Sequence, residues 1–220
     1  MQKTAVVIGA TGLTGTHLVS ALLHDPYFSK VKVLVRKPWG HTRPKLESII
    51  VNFEDPASIA SAMEGDILFC CIGTTIKKAG SQQKFREVDF DIPVRSATIA
   101  HNKGFQQFLM ISSIGANPSS RNFYLRTKGE TETAVLKIGF PNISIFRPSF
   151  IIGQREEFRL GEWIAKYLMH LFYFLLQGRW KKYRGIKAAT IASAMVNIAK
   201  KEDTGTHIFE SDAIQISGDA

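Results

Sequence analysis

The stretch VVIGATGLTG, residues 6–15, decides the fold class. An apolar run ends at Gly9, further glycines follow at positions 12 and 15, and a helical pattern begins there. At the junction of a first strand and a first helix, Gly9 allows a tight turn, Gly12 lets a pyrophosphate approach the backbone, and Gly15 lets the helix pack closely on the strand. The N–H groups at the start of that helix would then face the phosphates. The stretch therefore predicts a dinucleotide site, with a ligand-free glycine turn as the alternative.

The chain continues as an alternation of strand and helix patterns. Short β-branched runs without strict alternation are typical of strands that a parallel sheet buries on both faces, and helices between such runs predict βαβ units. The predicted strands cover residues 4–10, 30–37, 46–55, 66–73, 105–113 and 143–149, and the predicted helices lie within residues 15–25, 56–65, 89–104 and 123–136. The predicted fold class is α/β, a doubly wound parallel sheet of the Rossmann type.

The last third of the chain has a different pattern. Residues 161–183 carry apolar side chains in a helical stripe. We expect residues 154–188 to form a small C-terminal helical cap that borders the substrate, followed by a helix at residues 190–200 and a late strand at residues 206–211. The whole chain, residues 1–220, is expected to form a single domain.

The composition is that of a globular protein. Hydrophobic residues make up 45% of the chain and charged residues 21%, and no segment reaches the roughly 18 uncharged apolar residues of a membrane span. The net charge of +9 is dispersed, apart from RWKKYR at residues 179–184. A phosphate-rich small ligand or solubility explains dispersed charge as well as nucleic acid does. We therefore expect no nucleic-acid partner and no stable membrane insertion.

The cysteines and histidines carry little chemistry. Cys70 and Cys71 are the only two cysteines, and as neighbours on a strand they point to opposite faces, which favours buried, reduced thiols. Reduced thiols fit a reducing compartment, and the N-terminus shows no signal-peptide pattern, so a cytoplasmic protein is expected. The six histidines are scattered without metal-ligand spacing, and no metal is predicted.

The end of the second strand distinguishes the two nicotinamide dinucleotides. A site for NAD has an acidic residue about 20 residues beyond the glycines, which binds the ribose 2′-hydroxyl. Here the strand ends in Arg36 and Lys37, without a nearby carboxylate. Two cations would stabilise a 2′-phosphate through charge-assisted hydrogen bonds. The pattern predicts NADP(H) as the cofactor, against the alternative of a solvated basic strand end.

A serine pair, a tyrosine and a lysine are expected beside the nicotinamide. Ser112 and Ser113 end the fifth predicted strand, and ligands of a parallel sheet lie outside the carboxyl ends of its strands. Tyr124 and Lys128 fall one turn apart on a predicted helix. A tyrosine hydroxyl with its usual pKa of about 10 is a weak base at neutral pH, and a nearby ammonium favours the phenolate. The alternative is a helix-face pair without chemistry.

The glycine loop, the serine and the Tyr-x-x-x-Lys pattern together resemble the short-chain dehydrogenase/reductase superfamily. The segments FCCIGTT, KAG, VDFD, ISSIGA, YLRTKGE, FRPSFI and GEW are similar to the Tat-interacting-protein branch of its atypical members, which are NADPH-binding proteins with a Rossmann core. The resemblance implies Tyr124 and Lys128 as catalytic residues with Ser113 as their serine, and Ser112 as its competitor. For the asparagine of the usual superfamily tetrad, the sequence offers only Asp89 and Asn102.

Two more strand ends complete the predicted site. Gly73, after the fourth strand, would allow close backbone approach, or would simply form a turn. After the sixth strand, the resemblance implies Pro148 and Ser149 beside the nicotinamide, whereas Arg147 is either a ligand or a structural ion-pair partner. The predicted cofactor-binding residues are Gly9, Thr11, Gly12, Leu13, Thr14, Gly15, Arg36, Lys37, Phe53, Cys71, Gly73, Thr74, Ile111, Ser112, Tyr124, Lys128, Arg147 and Pro148.

The predicted function is an NADPH-dependent reductase or dehydrogenase acting on a carbonyl or alcohol of a small molecule. Tyr124 would donate the proton, Lys128 would favour its phenolate and hold the nicotinamide ribose, and Ser113 would orient the substrate oxygen. The apolar helix at residues 161–177 would roof the substrate site. One rival is a catalytically weak NADPH-binding sensor or interaction module with a protein partner or as a homodimer. Another is peripheral membrane contact through that helix and residues 179–184.

Overall fold

A seven-stranded parallel sheet organises the protein. The computed structural model describes residues 2–153 and 183–220. Its strands are β1 (Lys3–Ile8), β2 (Phe28–Val35), β3 (Leu46–Ile50), β4 (Ile67–Cys70), β5 (Gln107–Ile111), β6 (Asn142–Arg147), β7 (Ile151–Ile152), β8 (Ile186–Lys187) and β9 (Gly205–Glu210). The large sheet has the order β3-β2-β1-β4-β5-β6-β9, and β7 pairs with β8 separately. All of these pairings are parallel, so the predicted doubly wound sheet is confirmed.

Helices cover both faces of the sheet. They are α1 (Leu13–His24), α2 (Pro56–Ala62), α3 (Ile76–Ala79), α4 (Gln82–Arg86), α5 (Ile92–Asn102), α6 (Phe123–Leu136), α7 (Ala188–Lys201) and α8 (Ser211–Gly218). A π-helical turn, Glu87–Asp91, joins α4 to α5. One apolar cluster packs the sheet against α1 and α7, and a second packs it against α2, α5 and α6.

The strands feed both clusters in alternation. Val7 and Leu109 belong to the cluster beneath α1 and α7, whereas Val6 and Met110 belong to the cluster beneath α2, α5 and α6. Neighbouring strand residues point to opposite faces, and both faces are covered, so the strand sequences contain hydrophobic runs rather than an apolar–polar alternation. The burial of each such side chain stabilises the fold by about 1.5–3 kcal/mol.

Several element boundaries differ from the predicted ones. The strand predicted for residues 46–55 ends at Ile50, because a turn follows in which Asn52 accepts hydrogen bonds from the N–H groups of Glu54 and Asp55. Asp55 is then the N-cap residue of α2. The helix predicted within residues 89–104 is part of a longer helical run that starts at Gln82. The predicted strand at residues 206–211 is confirmed as β9, and α8, which follows it, had no predicted counterpart.

Most of the predicted cap lies outside the described residues. Of residues 154–188, only residues 183–188 are described, and they include β8 and the start of α7. The predicted roof helix at residues 161–177 and most of the basic run at residues 179–184 fall outside as well. Across the described ranges, no helix combines the length and the apolar character that a membrane crossing requires.

The order of the sheet creates a switch point at β1. The chain leaves β1 for β2 on one side and returns from β3 to β4 on the other. The loops that follow β1 and β4 therefore diverge and leave a crevice at the carboxyl edge, where ligands of doubly wound sheets bind.

Candidate functional site

The glycine loop after β1 has the geometry that the sequence predicts. Gly9 has a φ of +81°, and a Cβ at this position would lie 2.5 Å from the carbonyl carbon of Cys71. A Cβ on Gly15 would lie 2.1 Å from the Gly9 carbonyl oxygen. The Gly12 N–H donates to that same oxygen over 3.0 Å and closes the turn. Side chains at positions 9 and 15 would therefore break the loop.

The start of α1 is suited to a phosphate group. The helix begins at Leu13 with Gly12 as its N-cap residue, and no side chain among the described residues caps it. The first N–H groups of an α-helix have no partner within the helix, and the helix dipole favours an anion there. Thr14 and Gly15 are buried behind the loop, whereas Thr11 and Gly12 are exposed. The residues after β1 thus fit a dinucleotide pyrophosphate.

Arg36 and Lys37 lie at the same edge of the sheet as the glycine loop. They directly follow β2, which pairs in parallel with β1 through Ile8 and Leu34, and both side chains are exposed. Nearby, Phe53 is buried with an exposed fraction of 6%. The contact of these three residues with a cofactor stays a prediction.

Helix α6 carries Tyr124 and Lys128. The helix begins at Phe123 because the Asn122 side chain accepts a hydrogen bond from the Leu125 N–H. Tyr124 is half-buried, and its ring packs against Phe85 of α4 with a centroid distance of 5.6 Å. Phe85 is fully buried, so it supports the Tyr124 ring from the side of the protein interior. Phe85 was not among the predicted site residues.

Lys128 is buried in an ion pair with Asp89. Its Nζ lies 2.7 Å from Asp89 Oδ1, and the exposed fractions of the two residues are 4% and 1%. The second carboxylate oxygen, Oδ2, accepts a hydrogen bond of 2.9 Å from the Thr74 N–H. Burial lowers the pKa of Lys128, but Asp89 and Tyr124 raise it, and the net pKa is raised. Lys128 therefore remains an ammonium at neutral pH.

The sequence did not distinguish between Asp89 and Asn102 as counterparts of the superfamily asparagine, whereas the structure places them at different sites. Asp89 lies in the π-helical turn at the carboxyl edge of the sheet, in contact with Lys128. Asn102 is the last residue of α5 and is exposed. Because α5 runs antiparallel to the strands, its last residue is at the opposite edge of the sheet. Asp89 is thus the residue that occupies the neighbourhood of Lys128.

The two serines after β5 differ in burial. Ser112 is buried, and its Oγ has no hydrogen-bond partner among the described residues. Ser113 is half-buried, and its Oγ donates only a long bond of 3.3 Å to the Ile114 carbonyl oxygen. Ser113 is thus the more accessible of the pair, as expected for a residue that meets a substrate. Its catalytic role stays a prediction.

Gly73 connects the glycine loop with the acid–base residues. A Cβ on Gly73 would lie 3.6 Å from Asp89 Oδ1 and 3.8 Å from Lys128 Nζ. Two residues earlier, the Cys71 backbone packs directly against Gly9. The end of β4 therefore brings the phosphate-binding loop and the buried ion pair to the same crevice.

At the end of β6, Arg147 pairs with Glu132. Its Nε donates to Glu132 Oε1 over 3.0 Å, and a second guanidinium nitrogen contacts the other carboxylate oxygen. This bidentate pair raises the pKa of Arg147. The pairing agrees with the alternative in which Arg147 is a structural ion-pair partner. The Pro148 carbonyl oxygen accepts a hydrogen bond from the Ile114 N–H. This bond connects the end of β6 with the serine loop, which is the loop that follows β5 and contains both serines. Ligand roles for Arg147, Pro148 and the buried Ile111 stay predictions.

Within residues 2–153 and 183–220, no three His, Cys, Asp or Glu side chains are grouped so that they could hold a metal ion.

A family model described as NAD(P)H-binding matches residues 9–137. This chain belongs to that NAD(P)H-binding family. It is 34% identical over 218 residues to protein HTATIP2 of Rattus norvegicus, and the alignment covers 97% of this chain and 88% of that protein. It is 29% identical over 221 residues to a protein of Candida albicans named FMP52, mitochondrial, with coverage of 97% and 94%.

Solved structures share the fold at low sequence identity. Bordetella bronchiseptica WbmH in complex with NAD+ matches with a TM-score of 0.72 and 15% identity, over 100% of this chain and 80% of that one. A short-chain dehydrogenase/reductase superfamily protein of Agrobacterium tumefaciens with bound NAD matches with a TM-score of 0.70 and 14% identity, over 95% and 78%. These structures confirm the Rossmann fold, and the 34% identity to protein HTATIP2 confirms the resemblance to the Tat-interacting-protein branch.

The prediction of a cytoplasmic protein is wrong. Relatives from Candida albicans, Coccidioides immitis and Lodderomyces elongisporus are all named mitochondrial. The prediction relied on reduced cysteines, and Cys70 and Cys71 are indeed free thiols. Free thiols report a reducing environment rather than a particular compartment, so they could not support the inference.

Proposed function

We propose that the protein is an NADPH-dependent reductase of small-molecule carbonyl groups. The observation that carries this proposal is the proximity of the glycine loop, through the end of β4, to the buried Lys128–Asp89 pair. Tyr124 lies one helical turn from Lys128 on the same helix face. A phosphate-binding loop and a proton-transfer group at one crevice are what dinucleotide-dependent reduction requires.

The proposed mechanism assigns a separate task to each side chain. When bound, NADPH supplies the hydride. Tyr124 would donate its hydroxyl proton to the carbonyl oxygen as the alcohol forms, and solvent would return a proton to the phenolate that remains. Lys128 stabilises the developing phenolate electrostatically, and Ser113 donates a hydrogen bond to the substrate oxygen.

The preference for NADPH over NADH is part of the proposal. Arg36 and Lys37 follow β2, at the strand end where doubly wound sheets bind the adenosine ribose. The linking segment from residue 36 to residue 45 contains no acidic residue, so this segment itself offers no carboxylate that would repel a 2′-phosphate. A mitochondrial location is also proposed, since the FMP52 relatives are named for it.

Steady-state NADPH oxidation with a panel of aldehydes and ketones tests the function. We expect turnover of at least one small apolar or amphipathic carbonyl compound. Tight NADPH binding without turnover across the whole panel would contradict the reductase and favour the rival NADPH-binding sensor. Direct titration of NADPH, followed by its fluorescence, keeps binding and turnover apart.

A further inference from the structure

Both carboxylate oxygens of Asp89 face donors. Oδ1 lies 2.7 Å from Lys128 Nζ, and Oδ2 accepts the Thr74 N–H over 2.9 Å. An asparagine has one oxygen and one NH2 group, so at this position it would turn a donor towards either the ammonium or the amide. Aspartate and asparagine are therefore not interchangeable here.

The position of Asp89 is fixed from several sides. It lies in the π-helical turn, a feature that is frequent at functional sites. The Thr131 hydroxyl of α6 donates to the Asp89 carbonyl oxygen over 2.9 Å, and both residues are buried. The Asp89 carboxylate therefore stays with Lys128.

Three titratable groups influence the pKa of Lys128, namely Asp89 in the π-helical turn, Tyr124 on the same helix and Cys70 at the end of β4. Of these, Asp89 is in direct contact with the ammonium. Burial raises the pKa of Cys70 to about 11, so the thiol is neutral at physiological pH. The charged members are Lys128 and Asp89, whose charges cancel while Tyr124 keeps its proton.

We propose that Asp89 is a positioning residue which fixes the Lys128 ammonium and offsets its charge, so that Tyr124 rests in its protonated form. This inference deepens the proposed function and rests on the role of Tyr124 as proton donor. Loss of the Tyr124 proton leaves Lys128, Asp89 and Tyr124 with a net negative charge, whereas with an uncharged residue at position 89 the same loss would leave the remaining charges balanced. The Asp89 carboxylate therefore favours the protonated form of Tyr124, which is the form that donates a proton during carbonyl reduction.

A spectroscopic titration tests the proposal without any substrate. Tyrosinate absorbs in the near ultraviolet, and subtracting the pH titration of Tyr124→Phe from that of the wild type isolates the Tyr124 signal from the other tyrosines. In Asp89→Asn we expect the midpoint of this signal to move to lower pH by about one unit or more, because a neighbouring negative charge has been removed. Tyr124→Phe/Asp89→Asn supplies the matching blank.

The control is Asp91→Asn, which removes the same charge from the same π-helical turn but leaves the ion pair to Lys128 in place. It should keep the wild-type midpoint. If Asp89→Asn does not fold, the double variant Lys128→Gln/Asp89→Asn replaces it, because it contains no unpaired buried charge. Its titration is compared with that of Lys128→Gln, and each is corrected with its own Tyr124→Phe blank. The midpoint of the Tyr124 signal should be lower in the double variant.

A midpoint that is unchanged or moves to higher pH would overturn the proposal, even if Asp89→Asn lowers stability. A lower midpoint in a protein without turnover would support the role of Asp89 and contradict the reductase. Because this titration needs neither NADPH nor a carbonyl compound, its failure is distinguishable from failure of the proposed function.

Discussion

Gly129 of α6 packs directly against the backbone of Asn117. A Cβ at position 129 would lie 2.3 Å from the Asn117 carbonyl carbon. Asn117 belongs to the loop that follows β5 and contains both serines, and its N–H donates to the Leu125 carbonyl oxygen over 3.1 Å. The missing side chain thus sets the distance between the serine loop and the helix that carries Tyr124.

Gly129→Ala should separate the loop from the helix. Alanine improves helix propensity by about 1 kcal/mol, but overpacking against backbone costs about 1–3 kcal/mol or more, so we expect net destabilisation. Equilibrium denaturant unfolding measures it. Gly40→Ala is the control, because a Cβ at position 40 meets nothing within 4 Å. A variant at position 129 as stable as the wild type would show that the loop yields freely.

Arg36→Asp should reverse the cofactor preference. The new carboxylate repels a 2′-phosphate and can accept a hydrogen bond from a ribose 2′-hydroxyl, so NADPH affinity should fall at least tenfold, while NADH affinity falls less or rises. Calorimetric titration with both cofactors measures the change. Arg43→Asp, an equal charge change farther along the same segment, should alter the ratio far less. Equal wild-type affinity for NADPH and NADH would contradict the predicted role of Arg36.

Tyr124→Phe should separate chemistry from binding. The hydroxyl supplies the proton, whereas the ring provides packing against Phe85. Loss of a general acid lowers turnover by about 10²–10⁴-fold, and we expect the dissociation constant of NADPH to remain within about twofold of the wild type. Fluorescence titration and steady-state kinetics give the two numbers. A Phe variant with wild-type kcat would show that Tyr124 is not the acid.

Lys128→Met should destabilise the fold in a pH-dependent way. Removal of one partner of a buried ion pair leaves an uncompensated charge and costs about 3–5 kcal/mol. The loss should be largest at neutral pH and shrink as pH falls, because acid neutralises the buried carboxylate that the substitution leaves unpaired. Thermal unfolding at several pH values measures this trend, and a loss independent of pH would contradict it.

In the wild type, the pKa of Lys128 links the stability of the fold to pH on the alkaline side. The net pKa of Lys128 is raised above its ordinary value of 10.5. The stability that this shift contributes is therefore fully present below that value and is lost as pH rises through the folded pKa. Lys128→Met should abolish this alkaline loss.

The Cys70 thiol should be unreactive in the folded protein. It is fully buried, and burial raises its pKa to about 11, so almost no thiolate exists at pH 7. Alkylation with iodoacetamide, followed by mass spectrometry, should label Cys70 only after unfolding. Rapid native labelling of this cysteine would mean that β4 opens far more readily than its packing indicates.

The features that could be predicted are those that local chemistry determines. Helix α6 has the predicted bounds because Asn122 is a strong N-cap residue at its start. The glycine loop follows from steric limits at Gly9 and Gly15, which hold wherever a strand turns directly into a helix. Both signals reside in a few consecutive residues.

The features that could not be predicted depend on distant contacts. The choice between Asp89 and Asn102 requires knowing which end of α5 meets the crevice and that a π-helical turn directs Asp89 towards Lys128. The role of Phe85 depends on short helices, α3 and α4, that lack clear periodicity. Gly129 left a usable signal, since a glycine inside a helical pattern costs about 1 kcal/mol relative to alanine and therefore draws attention to the packing at that position.

The most direct test of the proposed reductase is the transfer of deuterium from NADPH labelled at the nicotinamide C4 to a carbonyl substrate. We expect mass spectrometry to find the label on the alcohol carbon with the wild type, and almost none with Tyr124→Phe, although that variant still binds NADPH. Absence of label with the NADPH-loaded wild type, or equal labelling with Tyr124→Phe, would contradict the proposal that this protein reduces carbonyl groups with Tyr124 as the proton donor.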